Sequence, residues 1–450
     1  MAYRTLREWL RDMEGQDRLR RVEKAVNLKY ELTEVSKKCQ SRYALWFEKP
    51  VGEGYAGTMP VVSNSAVARD DYARALGVSV MELPKRLRWA QDHPVAPVMV
   101  DAASAPVKEV VEPQVNLAAL PVPVHHEGDN GAFLTSGVLV AKNPVTGERN
   151  LSIHRMQIRG KDQLGILMVP RHLSALQKMA EDLDRPLEVA VCIGLDPIMM
   201  LASQAIAPLG FDEYGIAGAL YGEGVPLVPC ETVDLEVPAG AEIVLEGFIP
   251  PHVRKPEGPF GEYPQYYSPQ EDSQIVCLTC LTRRQDAIYQ TVIPAAEEHL
   301  LLGAIARESH MLDIIRMAVP SVGALQLERG GNRRTNLVIQ MEKRNDGEVR
   351  AALLAAFACA PEVKYAVAVD PDVDLFDSLD VAWAIATRSQ PDQDVMIIPG
   401  VRGSVMDPSG KGPIGSKMGI DATAPMGERT RRFCRIKNPY DGQIDLKNYF

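Results

Sequence analysis

The sequence predicts an α+β protein with an N-terminal α/β domain, a β-rich central domain, a linking helix and a C-terminal α/β domain. Three observations support this fold class. The chain has 450 residues, of which 46% are hydrophobic, so it can bury more than one core. Short β-like runs dominate its centre, and strands alternate with helices in its C-terminal part.

The N-terminal domain is predicted over residues 1–105. Residues 4–23 are predicted to form an amphipathic helix, and TMPVVSNS followed by DDYARALGV and MELPKRLRWAQ indicates a strand and then helices. A proline-rich segment near residues 94–123 (HPVAPVMV, ASAPV, VEPQV, LPVPV) is typical of an extended linker. We therefore place the first domain boundary near residue 105.

The central domain is predicted over residues 106–296. Its β-like runs include SGVLVAK, NLSIHRMQI, LGILMVP, LEVAVCIG, EIVLEGFI and SQIVCLTCLTRR, and turn residues separate them. Helical patterns interrupt the runs at HLSALQKMAEDL and DEYGIAGALYG. Spacing of this kind predicts a barrel or a sandwich with helical insertions.

A long helix is predicted to link the central domain to the C-terminal domain. From Glu297, the stretch EEHLLLGAIARESHMLDIIRMAV keeps helical periodicity for about six turns before Pro320, so the linker covers residues 297–319. Beyond it, the strands GALQLE, LVIQME and KYAVAVD alternate with the helices GEVRAALLAAFACA and DSLDVAWAIATR. This alternation predicts an α/β domain over residues 320–450, including a tail rich in Gly and Pro.

The charge and hydropathy of the chain argue against two classes of partner. A net charge of -10 and a pI near 5.5 provide no long-range attraction for nucleic acid or an anionic membrane. No apolar run approaches the roughly 20 residues that span a bilayer, and the N-terminus lacks the apolar core of a secretory signal. We therefore expect a soluble, cytoplasmic protein that acts on a small molecule.

Two clusters contain the residue types of a divalent metal site. RNLSIHR runs from Arg149 to Arg155 and is followed by VPRHL with His172, while VPCETVDLEVP contains Glu231. Together, Asn150, His172 and Glu231 would form an oxygen-rich set that suits Mg²⁺ or Mn²⁺ rather than a thiolate-binding metal. Such residues are also common on surfaces and in satisfied cores, and the pattern alone leaves that alternative open.

Two further clusters suit acid–base chemistry and phosphate binding. EGPFGEY places Glu257 and Glu262 on a constrained loop, where one carboxylate could stay ionised while the other carries a proton. Arg155 could supply the neutralising charge. GPIGSKMGIDAT contains Lys417 in a Gly-rich segment of a kind that can bind phosphate. A solvated surface turn is the alternative for the glutamate pair.

A series of strings in one order extends over nearly the whole chain: LPVPVHHEGD, TSGVLVAK, RNLSIHRMQI, CETVDLEVP, EGPFGEY, DVDLFD, AWAIATR, DVMIIPGVRGS and SKMGIDAT. In this order the strings resemble the UbiD family of decarboxylases. The resemblance implies that the central domain is a flavin-reductase-like split β-barrel and that the C-terminal domain serves in oligomerisation, giving a homo-oligomer such as a dimer or a hexamer.

The resemblance also implies a cofactor, prenylated FMN, supplied by a UbiX-type flavin prenyltransferase. Asn150, His172 and Glu231 would hold the Mn²⁺ or Mg²⁺ that anchors the flavin phosphate, with K⁺ nearby. The residues that would contact the cofactor are Asn150, Ser152, Ile153, His154, Arg155, Arg171, His172, Glu231 and Lys417.

By the same resemblance, Arg155, Glu257 and Glu262 would form an ionic network beside the reactive ring of the flavin. Losing CO₂ from an sp² carbon leaves an unstabilised carbanion, so the substrate must first be joined covalently to an electron sink. A proton must then reach the same carbon. We predict that Glu262 donates it, with Glu257 and Arg155 tuning its acidity.

Basic residues near the start of the long helix suggest the substrate. His299 and Arg307 lie on that helix, and the loop RGGNRRTN adds Arg334; a solvated helix face and a phosphate-binding surface patch are the alternatives from the pattern alone. These three residues resemble those of the furan-2,5-dicarboxylate decarboxylase branch, where a His and two Arg residues hold the carboxylate that is not removed. The resemblance implies reversible, non-oxidative decarboxylation of furan-2,5-dicarboxylate to 2-furoate.

Three alternatives stay open at this point. The substrate could be another aromatic acid, such as a 4-hydroxybenzoate-like acid or pyrrole-2-carboxylate. The chain could be a non-catalytic carboxylase subunit, although it keeps the whole Asn, His, Glu and Arg set. An ordinary flavin oxidoreductase would need a nicotinamide site, and the sequence has no strand-GxGxxG-helix fingerprint.

Overall fold

A computed structural model describes residues 3–440 and 443–449 of the chain. The protein divides into two compact units, the first ending at His310 and the second beginning at Met311. Helices and strands are both abundant, which confirms the predicted mixed fold class. The finer predicted boundaries near residues 105, 296 and 319 stay predictions.

The helices begin and end close to the periodic segments of the sequence. They are α1 (Leu6–Gly15), α2 (Glu31–Cys39), α3 (Arg69–Leu76), α4 (Leu83–Asp92), α5 (His172–Asp182), α6 (Pro197–Ala202), α7 (Glu213–Tyr221), α8 (Glu297–Ala318), α9 (Gly347–Cys359) and α10 (Ser378–Arg388). None of them, within the part of the chain that the structure describes, is long and apolar enough to cross a membrane.

The predicted N-terminal helix over residues 4–23 is wrong in its second half. α1 buries Leu6 and Met13 on one face, but it ends at Gly15. The backbone of Asp17 then adopts a φ of 58°, which a right-handed helix cannot accommodate. The chain therefore turns and continues as a strand from Leu19.

Short strands form the N-terminal part of the first unit. They are β1 (Leu19–Val22), β2 (Val26–Asn27), β3 (Ala44–Phe47), β4 (Pro50–Val51) and β5 (Val61–Ser63). β1 pairs in parallel with β3, and β3 pairs antiparallel with β5.

The central part of the first unit contains a ten-stranded sheet. Its region holds β6 (Val98–Met99), β7 (Val110–Glu112), β8 (Phe133–Leu134), β9 (Val138–Lys142), β10 (Arg149–Ile153), β11 (Met156–Arg159), β12 (Gln163–Ile166), β13 (Leu187–Ile193), β14 (Pro226–Pro229), β15 (Glu236–Pro238), β16 (Ile243–Ile249), β17 (Arg254–Glu257), β18 (Phe260–Gly261), β19 (Tyr267–Ser268), β20 (Glu271–Arg283) and β21 (Tyr289–Gln290). The main path of the sheet is β10-β9-β13-β16-β20-β12-β11-β8, and β7 and β17 also pair with β20. β21 joins the N-terminal sheet beside β5, so the N-terminal and central regions share one sheet.

Both faces of the central sheet are covered by apolar side chains. Along β13, Val189 and Val191 enter one hydrophobic core, while Ala190 and Cys192 enter the other. This alternation follows from the two-residue period of a strand, and it explains why LEVAVCI is a nearly continuous apolar run. The sheet is therefore a rigid support for side chains at the strand ends.

The second unit contains a mixed five-stranded sheet. Its strands are β22 (Val322–Leu327), β23 (Asn336–Met341), β24 (Tyr365–Val369), β25 (Val395–Arg402) and β26 (Ile414–Ala422). Their order is β22-β23-β24-β26-β25, with parallel pairing of β24 to both β23 and β26. α9 connects β23 to β24, and α10 follows β24, as the predicted α/β alternation requires.

Candidate active site

An arginine and two glutamates form an ion-pair cluster in the first unit. The Arg155 guanidinium donates two hydrogen bonds to Glu257, from Nε to Oε1 at 3.1 Å and from Nη2 to Oε2 at 2.8 Å. Its Nη1 donates to Glu262 Oε1 and, at 3.0 Å, to Ser268 Oγ. The guanidinium carbon also lies 4.9 Å from the centre of the Phe260 ring. One cation is therefore shared by two carboxylates.

The cluster is largely shielded from water. Glu257 has no exposed surface, and the side chains of Arg155 and Glu262 are 10% and 17% exposed. Burial raises the pKa of Glu262, although Arg155 lowers it and the charge of Glu257 adds to the rise. A carboxyl group with a raised pKa can hold a proton and donate it during a reaction. This arrangement suits Glu262 as an acid and Glu257 as the fixed counter-ion of Arg155.

The backbone positions these groups at the ends of strands. β10 ends at Ile153 and β11 begins at Met156, so Arg155 lies in the short link between them. Glu257 is the last residue of β17, whose register pairs it with Glu271 of β20. Gly258 has a φ of 84°, and a Cβ there would lie only 3.0 Å from the Pro269 carbonyl oxygen. The turn that brings EGPFGEY back to Arg155 therefore requires glycine at this position.

Asn150, His172 and Glu213 form a second cluster. Asn150 Nδ2 donates to Glu213 Oε1 at 3.0 Å and lies 3.3 Å from His172 Nδ1. The backbone N–H of Leu151 donates to Glu213 Oε2 at 2.7 Å. Burial raises the pKa of Glu213 to about 8. His172 is the first residue of α5, so the cluster lies at a helix N-terminus, which favours anions such as phosphate.

The second cluster fits a divalent cation. Asn150 Oδ1 is buried and finds no hydrogen-bond partner among the described residues, which is costly unless a ligand satisfies it. An amide oxygen, a carboxylate and an imidazole are suitable ligands for Mn²⁺ or Mg²⁺. No group of three or more His, Cys, Asp or Glu side chains within the described ranges could hold a metal. The amide of Asn150 is therefore an essential part of this candidate site.

Glu231 lies elsewhere, which corrects the predicted ligand set. Its carboxylate accepts a hydrogen bond from Lys108 Nζ at 2.8 Å, and its backbone N–H donates to the carboxylate of Glu246. Glu246 is on β16, three strands from β10 in the sheet, or roughly 14 Å at the usual strand spacing. Glu213, and not Glu231, is the acid beside Asn150.

Sequence reasoning did not single out Glu213, although the sequence contains a signal for it. Glu213 opens α7, all of whose residues are buried. The segment DEYGIAGAL is apolar apart from its acids, and Asp212 is accounted for as the N-cap of the helix. A carboxylate that is buried in such a helix needs a hydrogen-bond donor or a cation as its partner. This requirement indicates that Glu213 is a candidate metal ligand.

The remaining predicted cofactor residues of the first unit lie on the segments that carry these two clusters. Ser152 and Ile153 end β10, and Ser152 Oγ lies 2.9 Å from His154 Nε2. Loss of hydration lowers the pKa of His154 to about 4, so the imidazole is neutral at physiological pH. Arg171 is exposed and immediately precedes α5. The segment from Asn150 to Arg155 thus connects the candidate metal site to the ion-pair cluster.

Lys417 and Arg334 lie in the second unit. Lys417 is on β26, where its ammonium donates to the carbonyl oxygens of Pro361, at 2.5 Å, and of Val363. Burial lowers the pKa of Lys417 to about 8. Arg334 is 5% exposed, and its Nη1 donates to the Arg333 carbonyl oxygen at 2.8 Å. The predicted contacts of Lys417 with the cofactor and of Arg334 with the substrate stay predictions.

His299 and Arg307 both lie on α8, as predicted. His299 Nδ1 accepts a hydrogen bond from the backbone N–H of Ala295 at 3.1 Å, so Nδ1 carries no proton in this arrangement. Arg307 Nη1 donates to the Gly303 carbonyl oxygen at 2.9 Å. Their assignment to the substrate stays a prediction.

Family models match most of the chain. The N-terminal domain of 3-octaprenyl-4-hydroxybenzoate carboxy-lyase matches residues 10–91, the Rift-related domain matches residues 98–297, and the C-terminal domain matches residues 300–422. These matches follow the order of domains that the sequence predicts.

Several known proteins are similar along most of their length. The UbiD-class enzyme HmfF from Pelotomaculum thermopropionicum, solved in complex with FMN, has 45% identity and a TM-score of 0.96, covering 99% of this chain and 100% of that one. An evolved dimeric form of the same enzyme was solved in complex with prFMN. Anhydromevalonate phosphate decarboxylase of Methanothermobacter thermautotrophicus is 36% identical over 84% of this chain and 88% of its own. Gallate decarboxylase of Lactiplantibacillus plantarum is 32% identical over 76% of each chain. The chain therefore belongs to the UbiD family of decarboxylases, which are carboxy-lyases.

Proposed function

We propose that this protein removes one carboxylate from furan-2,5-dicarboxylate to give 2-furoate and CO₂, with prenylated FMN as its cofactor. The observation that carries the proposal is the shielded cluster in which Arg155 is shared by Glu257 and Glu262. A cation can hold the carboxylate of the substrate. A protonated acid beside that cation can then donate a proton to the carbon that loses CO₂. The reaction is reversible and requires no external oxidant or reductant.

The cofactor would be anchored by the second cluster. Asn150, His172 and Glu213 would bind a Mn²⁺ or Mg²⁺ ion, which in turn would neutralise the phosphate of the flavin, with K⁺ beside it. The N-terminus of α5 adds its dipole to this attraction. The unpartnered Oδ1 of Asn150 supports this assignment. The flavin complexes of HmfF support the same cofactor.

When bound, prenylated FMN supplies the electron sink that decarboxylation of an sp² carbon requires. The side chains of this protein perform the other tasks. Arg155 orients the carboxylate that leaves, and the shielded surroundings favour neutral CO₂ over the charged acid. Glu262 carries the proton that replaces CO₂, because its raised pKa keeps it protonated in more of the molecules. Glu257 keeps Arg155 in place through two hydrogen bonds.

The substrate assignment rests on a second carboxylate-binding group. The carboxylate that stays on the ring would be held by His299, Arg307 and Arg334. Acids without a second carboxylate would leave the two guanidinium groups unpaired and would therefore bind less well. The similarity to HmfF supports a furan-type acid. The relatives that act on anhydromevalonate phosphate and on gallate make these acids the appropriate competitors in an assay.

A substrate panel tests this proposal. Protein produced together with a UbiX-type prenyltransferase is assayed with furan-2,5-dicarboxylate, 2-furoate, pyrrole-2-carboxylate, 4-hydroxybenzoate, gallate and anhydromevalonate phosphate. We expect kcat/KM for furan-2,5-dicarboxylate to exceed that for the monoacids by about 10²-fold or more, since unpaired buried donors penalise the poorer ligand. A preference for any other acid would refute the substrate but not the family.

A second experiment tests the acid. Glu262→Gln keeps the size of the side chain but cannot donate a carboxylic proton, so decarboxylation and solvent deuterium exchange into the product should fall by about 10²-fold or more. Glu23→Gln, at an exposed carboxylate just after β1, is the matched control and should leave both rates unchanged. Normal exchange in Glu262→Gln would move the proton-donor role to Glu257.

A further inference from the structure

The loop that carries Glu262 packs against a second segment, the turn His126–Asn130 of the string HHEGDN. Asp129 Oδ1 accepts a hydrogen bond from the backbone N–H of Gly261 at 2.8 Å. Asn130 contacts the same loop twice, because its Nδ2 donates to the Gly258 carbonyl oxygen at 2.9 Å and its backbone N–H donates to the Pro259 carbonyl oxygen at 3.0 Å. The turn therefore holds the backbone between the two active-site glutamates at three residues, Gly258, Pro259 and Gly261.

Close packing reinforces these hydrogen bonds. A Cβ added to Gly261 would lie 2.6 Å from His126 Nδ1, so the imidazole rests directly against the backbone beside Glu262. A Cβ added to Gly128 would lie 2.6 Å from the Tyr267 ring, and the Gly128 N–H donates to the Tyr267 hydroxyl at 3.0 Å. Glycines at both positions allow the turn and the loop to approach more closely than other residues would permit.

Further polar contacts, within the turn and with α2, hold the turn in place. The backbone N–H of His126 donates to Asp129 Oδ2 at 2.8 Å, and His126 Nδ1 lies 3.5 Å from the same oxygen. On the other side of the ring, Lys37 Nζ donates to His126 Nε2 at 2.8 Å. Lys37 belongs to α2, so a chain of polar contacts runs from that helix through His126 and Asp129 to Gly261.

We propose that Asp129 and Asn130 are positioning residues for decarboxylation, which fix the EGPFGEY loop so that Glu257 and Glu262 meet on Arg155. Neither residue contacts Arg155 in the hydrogen bonds described above, and both act through the backbone of the loop. Two carboxylates that share one guanidinium repel each other, so the loop must be held against that repulsion. A displacement of about 1 Å in such a site can lower a rate by about 10²-fold. The inference rests on the proposed role of Glu262.

The test uses Asn130→Ala and Asp129→Asn in the complete, cofactor-loaded enzyme. Asn130→Ala removes only the side-chain hydrogen bond to the Gly258 carbonyl oxygen. Asp129→Asn replaces one of the two acceptor oxygens with an NH₂ group, which cannot accept the hydrogen bond from the backbone N–H that it faces. We expect kcat to fall by about 10-fold to 100-fold in each variant, with KM changed by less than about two-fold. Glu127→Ala, an exposed neighbour in the same turn, is the matched control and should keep the original kcat.

A double-mutant cycle separates positioning from mere stabilisation. If Asp129 acts through Glu262, adding Asp129→Asn to Glu262→Gln should lower kcat by less than about two-fold further. The positioning role is overturned if the losses of kcat in Asp129→Asn and Glu262→Gln multiply in the double variant. It is also overturned if Asp129→Asn and Asn130→Ala both lose thermal stability while keeping the original kcat. The Glu262→Gln arm tests the proposed function by itself. An unchanged kcat there refutes the proton donor, whereas unchanged Asp129 and Asn130 variants beside an impaired Glu262→Gln refute only the positioning role.

Discussion

Replacing Glu257 with glutamine should change the acidity of Glu262 in a predictable direction. Burial is the main cause of the raised pKa of Glu262, and Glu257 adds to it because both carboxylates are bound to the same guanidinium and repel each other. In Glu257→Gln that repulsion is lost while Arg155 still attracts Glu262, so the pKa of Glu262 should fall. If Glu262 must be protonated to act, the alkaline limb of the kcat–pH profile should move to lower pH.

Coulomb's law gives an upper bound on this shift. Carboxylates that bond to one guanidinium lie roughly 6 Å apart, so at an effective dielectric constant of about 20 their repulsion is about 3 kcal/mol. That energy corresponds to about two pH units at most. Burial and Arg155 act more strongly than Glu257 on the pKa of Glu262, and the glutamine amide would rearrange, so we expect a shift well below this bound.

The assay is kcat against pH for the two proteins, measured with saturating substrate and the same flavin content. Ser268→Ala is the matched control, because Ser268 accepts a hydrogen bond from the same guanidinium at 3.0 Å but has no charge. We expect its alkaline limb to move by less than that of Glu257→Gln, since Ser268 carries no charge that acts on Glu262 and a single neutral hydrogen bond contributes only about 1 kcal/mol. A limb that stays in place in Glu257→Gln, or that moves to higher pH, would refute the electrostatic argument.

Three other outcomes are expected. Glu213→Gln should lose divalent metal and flavin, as measured by elemental analysis and absorbance, whereas Glu231→Gln should retain both; the reverse pattern would restore the ligand set predicted from sequence. Arg307→Lys should lower kcat/KM for furan-2,5-dicarboxylate more than for 2-furoate, and equal losses would exclude recognition of the second carboxylate. Glu308→Gln should lower the free energy of unfolding by about 3 kcal/mol in urea titrations, because it removes the charge that pairs with the buried Arg69 guanidinium; a change below about 1 kcal/mol would contradict this.

Residue types and their local patterns were enough to predict much of this protein. The apolar periods predicted α8 and the strands of both units, since a strand repeats every two residues and a helix every 3.6. The strings RNLSIHR and EGPFGEY identified Arg155, Glu257 and Glu262 before the structure joined them. Their roles were predicted from the resemblance of these strings to the UbiD family, since the motifs alone left a solvated surface turn open.

Only the tertiary structure decided which distant residues meet. It placed the Glu213 carboxylate beside Asn150 and the Glu231 carboxylate beside Lys108, and the packing of α7 against β10, not spacing along the chain, sets the first of these distances. It also revealed that Asp129 holds the loop of Glu262, a contact between segments 132 residues apart. Sequence patterns report the period of a helix or strand and the chemistry of its side chains. Long-range contacts depend on how the elements pack, and that packing is a property of the whole core.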